Sequence, residues 1–175
     1  MKKLLSIMCL LILVSCSKEI NIENVELKEG LYYEMNSTSP FSGTVISRYS
    51  NGVVEHKINF KNGTPHGYSE DFYEGGGIRT SSTFKNGKKE KIHKQFFPNG
   101  QLDTFYTFEK GIKSGPFTVY FESGQIQMKG NYLNGKEEGL WDGYMEGSEI
   151  IRLQRFYTKD GKKAWEKQYD EFGNI

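Results

Sequence analysis

A glycine returns every 24 residues through most of this chain, and that constant step limits the fold more than any other feature. Gly43, Gly67, Gly115 and Gly139 share one register, with Lys91 in its third slot. A second register holds Gly52, Gly76, Gly100 and Gly124, and a third holds Gly63, Gly87, Gly111 and Gly135. The step runs without insertion from Gly43 to Gly139. Such a pattern marks a repeat architecture, in which each unit buries its apolar face only against its neighbours.

Between glycines the side chains alternate with period two. Leu102, Thr104, Tyr106 and Phe108 do so in one unit, and Ile126, Met128, Gly130 and Tyr132 in the next, so the segments are strands rather than helices. Asn51-Gly52 and Asn99-Gly100 fall at first turns, with Asn62-Gly63, Asn86-Gly87 and Asn134-Gly135 at second turns. All of them read as type I′ hairpins, in which both central residues take positive φ. Gly76, Gly87, Gly100, Gly111, Gly124 and Gly135 complete the set of turn glycines. The expected fold is all-β: an elongated, twisted antiparallel meander of stacked hairpin repeats, single-layer or an open half-barrel. Two strands per unit give roughly 10 to 12 strands and a sheet about 50 Å long. His66-Gly67 reads as the closing turn of a unit. Gly161 arrives two places late and Ser148 replaces a turn glycine, so the fifth unit is degenerate and residues 165–175 resemble a truncated sixth.

Aromatic residues keep the same step. One column is Tyr49, Tyr73, Phe97 and Phe121, and another is Phe60, Phe84, Phe108, Tyr132 and Phe156. They are expected to stack as a continuous ladder over a sheet that has no second layer. A third column, Phe72, Phe96, Tyr120 and Tyr144, falls on the other face and is the candidate contact surface.

The beginning of the chain carries a separate message. Lys2 and Lys3 precede an apolar run from Leu4 to Val14, too short for a spanning helix of ~20 residues and suited to a secretory signal. The run ends in Leu13-Val14-Ser15-Cys16, which resembles the bacterial lipobox. That resemblance implies cleavage before Cys16 and a lipid on its thiol. The domains expected are therefore a lipoprotein signal peptide over 1–15, a polar tether over 16–29, and a repeat domain over 30–175. Its units start near 43, 67, 91, 115 and 139. Cys9 lies in the removed segment, so the mature domain has neither a free thiol nor a disulfide and relies on its own packing. Without Lys2 and Lys3 the chain holds 21 basic and 22 acidic residues, net −1, with no basic stripe to read as a nucleic-acid footprint.

Tyr49-Ser50-Asn51-Gly52, Phe60-Lys61-Asn62-Gly63 with Gly67, Phe97-Pro98-Asn99-Gly100, and Tyr132-Leu133-Asn134-Gly135-Lys136 with Gly139 together resemble the MORN repeat in its bacterial variant form. The lead-in Gly30-Leu31-Tyr32-Tyr33 and Pro40-Phe41-Ser42-Gly43 resembles the usual opening of such proteins. The resemblance spans about residues 30–161 and implies a hairpin scaffold for protein–protein contacts, with an antitoxin-like label in many bacterial members. That label suits a cytoplasmic protein, so an exported address favours an immunity or surface-binding role. Glu74-Gly75-Gly76-Gly77, Ser123 and Glu146-Gly147 depart from the pattern at turns.

Catalytic constellations are missing. His56, His66 and His93 have no metal-ligand spacing, and His56 and His93 read as surface polar residues. Glu137-Glu138 and Asp142 read as the solvated flanks of a turn, and Gly75-Gly76-Gly77 as a turn with no helix to cradle phosphate. No G-x-S-x-G elbow surrounds Ser69, Ser81 or Ser82. The expectation is a non-enzymatic scaffold with no cofactor and no metal, held at the bacterial cell envelope by lipid at Cys16. An outer-membrane or surface position follows if the cell is Gram-negative. Its partner would be a protein of unspecified identity, and the alternative is a glycan- or wall-binding module.

Overall fold

The computed structural model describes residues 18–175, so the signal segment and Cys16 lie outside it. Fourteen strands occur among these residues. A short N-terminal group comprises β1 (Glu19–Asn21), β2 (Val25–Lys28) and β3 (Leu31–Glu34). The repeats then give β4 (Gly43–Arg48), β5 (Val54–Lys61), β6 (Thr64–Phe72), β7 (Ile78–Lys85) and β8 (Lys88–Phe96). They continue with β9 (Leu102–Glu109), β10 (Ile112–Tyr120), β11 (Ile126–Leu133), β12 (Lys136–Tyr144), β13 (Ile151–Tyr157) and β14 (Lys163–Gln168). From β4 to β14 each strand pairs with the next in antiparallel sense, and β1 adds to β4 in parallel, giving one sheet of 12 strands. β2 and β3 form a separate hairpin. The chain is an open all-β meander of successive hairpins, as the repeat pitch predicts.

The two sets of turns differ, which corrects the expectation of one type. Second turns are two-residue loops: Lys61 pairs with Thr64, Lys85 with Lys88, Glu109 with Ile112, and Leu133 with Lys136. Both loop residues have positive φ, as at Asn62 (50°) and Gly63 (73°), so these are type I′ turns. At the first turns only the glycine is left-handed. Gly52 N–H donates to Tyr49 O (2.9 Å) and Tyr49 N–H to Val53 O (2.8 Å), a type I turn closed by a glycine bulge. Asn51 and Asn99 serve there through their side chains, whose oxygens accept from the Val53 and Gln101 amides at 2.9 Å.

His66-Gly67 is no turn. It sits inside β6, where Pro65 faces Phe60 and Ser69 faces Ile58, so three residues of β6 span one of β5. The same bulge recurs at Lys91, Gly115 and Gly139, all with positive φ. Bulges of this kind increase local twist and keep a single-layer sheet coiled. Lys91 occupies the slot at φ 61° although it is not glycine. An L-residue there costs about 1–2 kcal/mol, while glycine costs about 0.5–1 in unfolded-state entropy. Lys91→Gly is therefore expected to raise stability by about 0.5–1 kcal/mol in urea titration; a loss would refute the strain.

Hydrogen bonds between units lock both edges. Along one, the second-turn amides of Gly63, Gly87, Gly111 and Gly135 donate to Phe41, Pro65, Lys89 and Lys113 carbonyls, each at 2.8 Å. Along the other, the Tyr49 and Tyr73 hydroxyls donate to Phe72 O and Phe96 O at 2.7 Å. The first aromatic column therefore includes turn clamps rather than acting as a stacked face.

The second column lies on the packed face, but its ladder is broken into two clusters. Tyr32, Phe41 and Phe60 cluster near the first end with Val45, Ile20 and Ile58. A longer run links His93, Tyr106, Phe117, Trp141 and Tyr157 with centroid separations of 4.9 to 6.2 Å. Between them the cross-strand row reads Ser69 and Ser82, which interrupts the rings. Phe156 leaves the column altogether. The first turn of this unit is one residue longer than the others, with Ile151 rather than residue 150 opposite Tyr144, so that Phe156 faces Leu140, turns to the open side and stacks on Trp165 at 5.9 Å, while Tyr157 takes its place against Trp141.

The stretch 16–29 is ordered from Lys18 on, in place of the expected tether. Thr44 N–H donates to Lys18 O at 2.8 Å, and β1 lies beside β4. Gly43 permits this: a Cβ there would come within 2.3 Å of the Lys18 carbonyl oxygen.

A candidate binding strip on the open face

Strand alternation sorts the side chains of each repeat onto two faces. One carries the central row Ser82, His93, Tyr106, Phe117 and Trp141, in which Ser82, His93, Phe117 and Trp141 are all less than 9% exposed. Phe72, Phe96, Tyr120 and Tyr144 have the opposite parity and fall on the other face. They end their strands, and all four are half-buried.

Pairing brings a second column beside them. Phe72 faces Ile78, Phe96 faces Leu102, Tyr120 faces Ile126, and Tyr144 faces Ile151. At each pair the register shifts by one residue, a bulge that sets ring and aliphatic side chain together near the first turns. Ile78 and Ile126 remain 40% and 39% exposed. The aliphatic residues were missed in the sequence, although Ile78, Leu102 and Ile126 keep the same 24-residue step and could have been found by it. From β6 to β12 is six strand spacings, so the strip is about 29 Å long. Two depressions, of about 560 and 480 Å³, border Tyr144 at its far end.

Charge beside the strip is mixed. The adjoining row on this face runs Lys57, Glu70, Ser81, Lys94, Phe105, Thr118, Lys129 and Asp142. Lys129 lies 5.4 Å from the Tyr144 ring centre, and its hydrogen bond to Tyr144 holds its ammonium above the ordinary lysine value. Asp142 does not flank a turn: it lies within β12 with Glu138, is 9% exposed, and accepts from Gln154 Nε2 at 2.9 Å. The strip is thus apolar along its length and offers no single sign of charge.

The packed face holds the polar groups that sequence reasoning left on the surface. His93 is only 7% exposed, because β8 pairs it with Ser82 and with Tyr106. Ser82 Oγ lies 2.6 Å and Lys89 Nζ 3.5 Å from His93 Nδ1. A neighbouring ammonium cannot accept, so Nδ1 is the unprotonated nitrogen and the Ser82 hydroxyl donates to it. Burial, reinforced by Lys89 and Lys113 against the opposing Asp71, pushes His93 down to about 4. Beside it His56 Nδ1 donates to Asp71 at 2.7 Å and the Thr80 hydroxyl donates to the other carboxylate oxygen. Burial raises the Asp71 carboxyl, but the hydrogen bonds from Thr80 and His56 and the charges of His56 and Arg79 outweigh it and leave the group below its ordinary value. The Ser82–His93 pair is buried in the packed face, 6% and 7% exposed.

Among the described residues no group of three or more His, Cys, Asp or Glu side chains could hold a metal ion. Nor is any helix there long and apolar enough to cross a membrane. The family model described as the MORN repeat variant matches residues 42–62 and 113–134. The two matches end at Asn62 and Asn134, the first positions of two type I′ turns and three repeats apart. No curated protein matches the chain.

Proposed function

We propose that this chain is a non-enzymatic scaffold that holds a protein partner on the open-face strip, and that lipid at Cys16 keeps it at the bacterial envelope. One observation carries the reading: aromatic and aliphatic columns run side by side on the face that the core does not use. Apolar side chains in a continuous exposed row are characteristic of interaction surfaces, and the two MORN-variant matches accord with a binding scaffold. An immunity-like role, in which the partner is a secreted protein of the cell or its neighbours, suits an exported address better than the cytoplasmic antitoxin role.

The anchor follows from Leu13-Val14-Ser15-Cys16 behind an apolar run. Two acyl chains on one residue provide stable attachment. Only one residue, Ser17, separates Cys16 from Lys18, a span of at most about 7 Å. The β1 end of the sheet would then rest at the bilayer and the strip would lead away from it.

A single affinity experiment tests both parts, using envelope extract and mass spectrometry. The intact chain is expected to fractionate with membranes and to enrich one protein. Changing Phe96 and Tyr120 together to Ser should reduce capture at least about tenfold while the circular dichroism spectrum is kept. Cys16→Ser should move the chain to the soluble fraction with capture intact. Capture unaffected by the double change would reject the strip. Retention on wall glycans without an enriched protein would replace the reading by the carbohydrate module.

A further inference from the structure

The strip has a pitch, and the pitch selects among occupants. Phe72, Phe96, Tyr120 and Tyr144, each with its aliphatic partner, recur once per repeat, which is two strand spacings or about 9.6 Å. A polyproline II helix advances about 9.3 Å per turn of three residues, so every third side chain meets a ring with an error of about 1 Å over the whole strip. An α-helix offers about 10.5 Å per heptad and drifts by about 3 Å over the same length. An extended strand presents side chains to one face about every 6.7 Å and matches only some of the rings. About ten residues of polyproline II would span the strip.

A column of carboxylates keeps the same step. Glu74, Glu122 and Glu146 follow Phe72, Tyr120 and Tyr144 by two residues and are exposed at the first turns, with Pro98 in the second place. The loops 73–77, 97–101, 121–125 and 145–150 hold these three and Glu149, and no lysine or arginine. Arg79 and Arg152, in the strands that follow, sit with the packed-face residues Asp71 and Leu153. Among the described residues none of the four carboxylates has a basic side chain within 4.0 Å. The row on the inner side of the strip has mixed charge, but its turn side is acidic. Side-chain bonds hold neighbouring turns in step: Asn51 Nδ2 donates to Glu74 O at 3.2 Å, Asn99 Nδ2 to Glu122 Oε1 at 3.4 Å, and Gly147 N–H to Gln125 Oε1 at 2.7 Å. At the far end a hollow of about 480 Å³ opens between Ile126, Tyr144 and Ile151, with Glu149 at its rim.

We propose that the strip takes a basic, proline-rich segment in the polyproline II conformation. Its prolines sit on the ring and aliphatic columns, and an arginine or lysine in its turns lies over the first-turn carboxylates. This rests on the strip reading and gives the protein partner its chemistry. Such a segment is stiff before it binds and loses little freedom on docking. It makes no internal backbone hydrogen bonds, and the Tyr120 and Tyr144 rings carry hydroxyls that can donate to its carbonyls.

Fluorescence anisotropy with the purified full chain tests it. The probes are labelled peptides of four repeats of Arg-Pro-Pro, of Arg-Ser-Ser and of Glu-Pro-Pro, and a basic amphipathic α-helix of the same length. The Arg-Pro-Pro peptide is expected to bind saturably and each of the others at least about tenfold more weakly. The serine peptide lacks the preformed helix, the glutamate peptide the charge, and the α-helix the pitch. Phe96→Ser with Tyr120→Ser should weaken binding at least about tenfold while the circular dichroism spectrum is kept. Glu122→Gln with Glu146→Gln, at exposed turns, should weaken it about threefold or more and flatten its dependence on salt. No saturable binding of the Arg-Pro-Pro peptide, equal or tighter binding of another probe, or affinity unchanged in either double variant would overturn the proposal. Envelope capture is read separately. If capture is lost with Phe96 and Tyr120 while the proline peptide fails to bind, the proline-rich occupant is overturned and the strip reading stands.

Discussion

Replacing Trp141 by alanine is expected to cost about 3–5 kcal/mol, the largest loss from any single side chain of the sheet. The residue is 4% exposed in a protein that has no second layer to hide it. Its burial comes from rings on its own face: Phe117 at 5.1 Å, Tyr132 at 5.1 Å and 86°, and Tyr157 at 6.2 Å and 72°. Edge-to-face geometry adds about 0.5–1.5 kcal/mol per pair beyond the area removed from water. The fourth wall is the backbone of Gly130, and there the coupling can be measured. Gly130→Ala alone should cost about 1–3 kcal/mol, because the methyl group displaces the indole. In a Trp141→Ala background the same change should be near neutral, since Gly130 has no positive φ to lose. Urea titrations of the four proteins, followed by circular dichroism, decide the matter. Additive losses would mean that the ring does not rest on the glycine.

The repeat pitch was legible because 24 residues are two strands and two turns, and every unit repeats the count. What each glycine does within that count was less so. Gly67 and Gly63 look alike in sequence, yet one forms a bulge and the other a turn, because the difference lies in how many residues the partner strand spends opposite them. Phe156 was assigned to the wrong face for the same reason: the turn between Tyr144 and Ile151 holds one residue more than its equivalents, and a one-residue shift reverses a side chain. β1 is three residues long and parallel, and depends on the missing Cβ of Gly43, a contact between distant residues that local pattern does not express. The strip shows the opposite case. Its aromatic half was read from the step, and its aliphatic half was open to the same reading. His93 stayed hidden because nothing near it in sequence names Ser82 as its neighbour.

That histidine makes stability depend on acidity in a defined window. His93 titrates near 4 when folded and near 6.5 when unfolded, so between those values the unfolded chain binds the additional proton. Stability is therefore complete above pH 6.5 and falls as pH drops from 6.5 towards 4. The full shift corresponds to at most about 3 kcal/mol, and screening at the surface of a single-layer sheet leaves about 1–2 kcal/mol. Burial is the main cause of this direction, and the charges facing the imidazole act on it with both signs. Lys89 and Lys113 repel its charged form, Asp71 attracts it, and the Tyr106 and Phe108 rings, at 5.9 and 6.2 Å, keep water away. Below the window Asp71 continues the trend, because a carboxyl held below its ordinary value loses its stabilising contribution when it is protonated. His93→Gln should keep a partner for Ser82 and flatten the stability profile between pH 6.5 and 4, leaving only the carboxylate decline beneath it. The check is a urea midpoint measured at half-unit pH intervals for both proteins, with the His93 ring signals followed by NMR. A His93 midpoint near 6.5, or the same slope in the glutamine variant, would place the acid sensitivity elsewhere in the sheet.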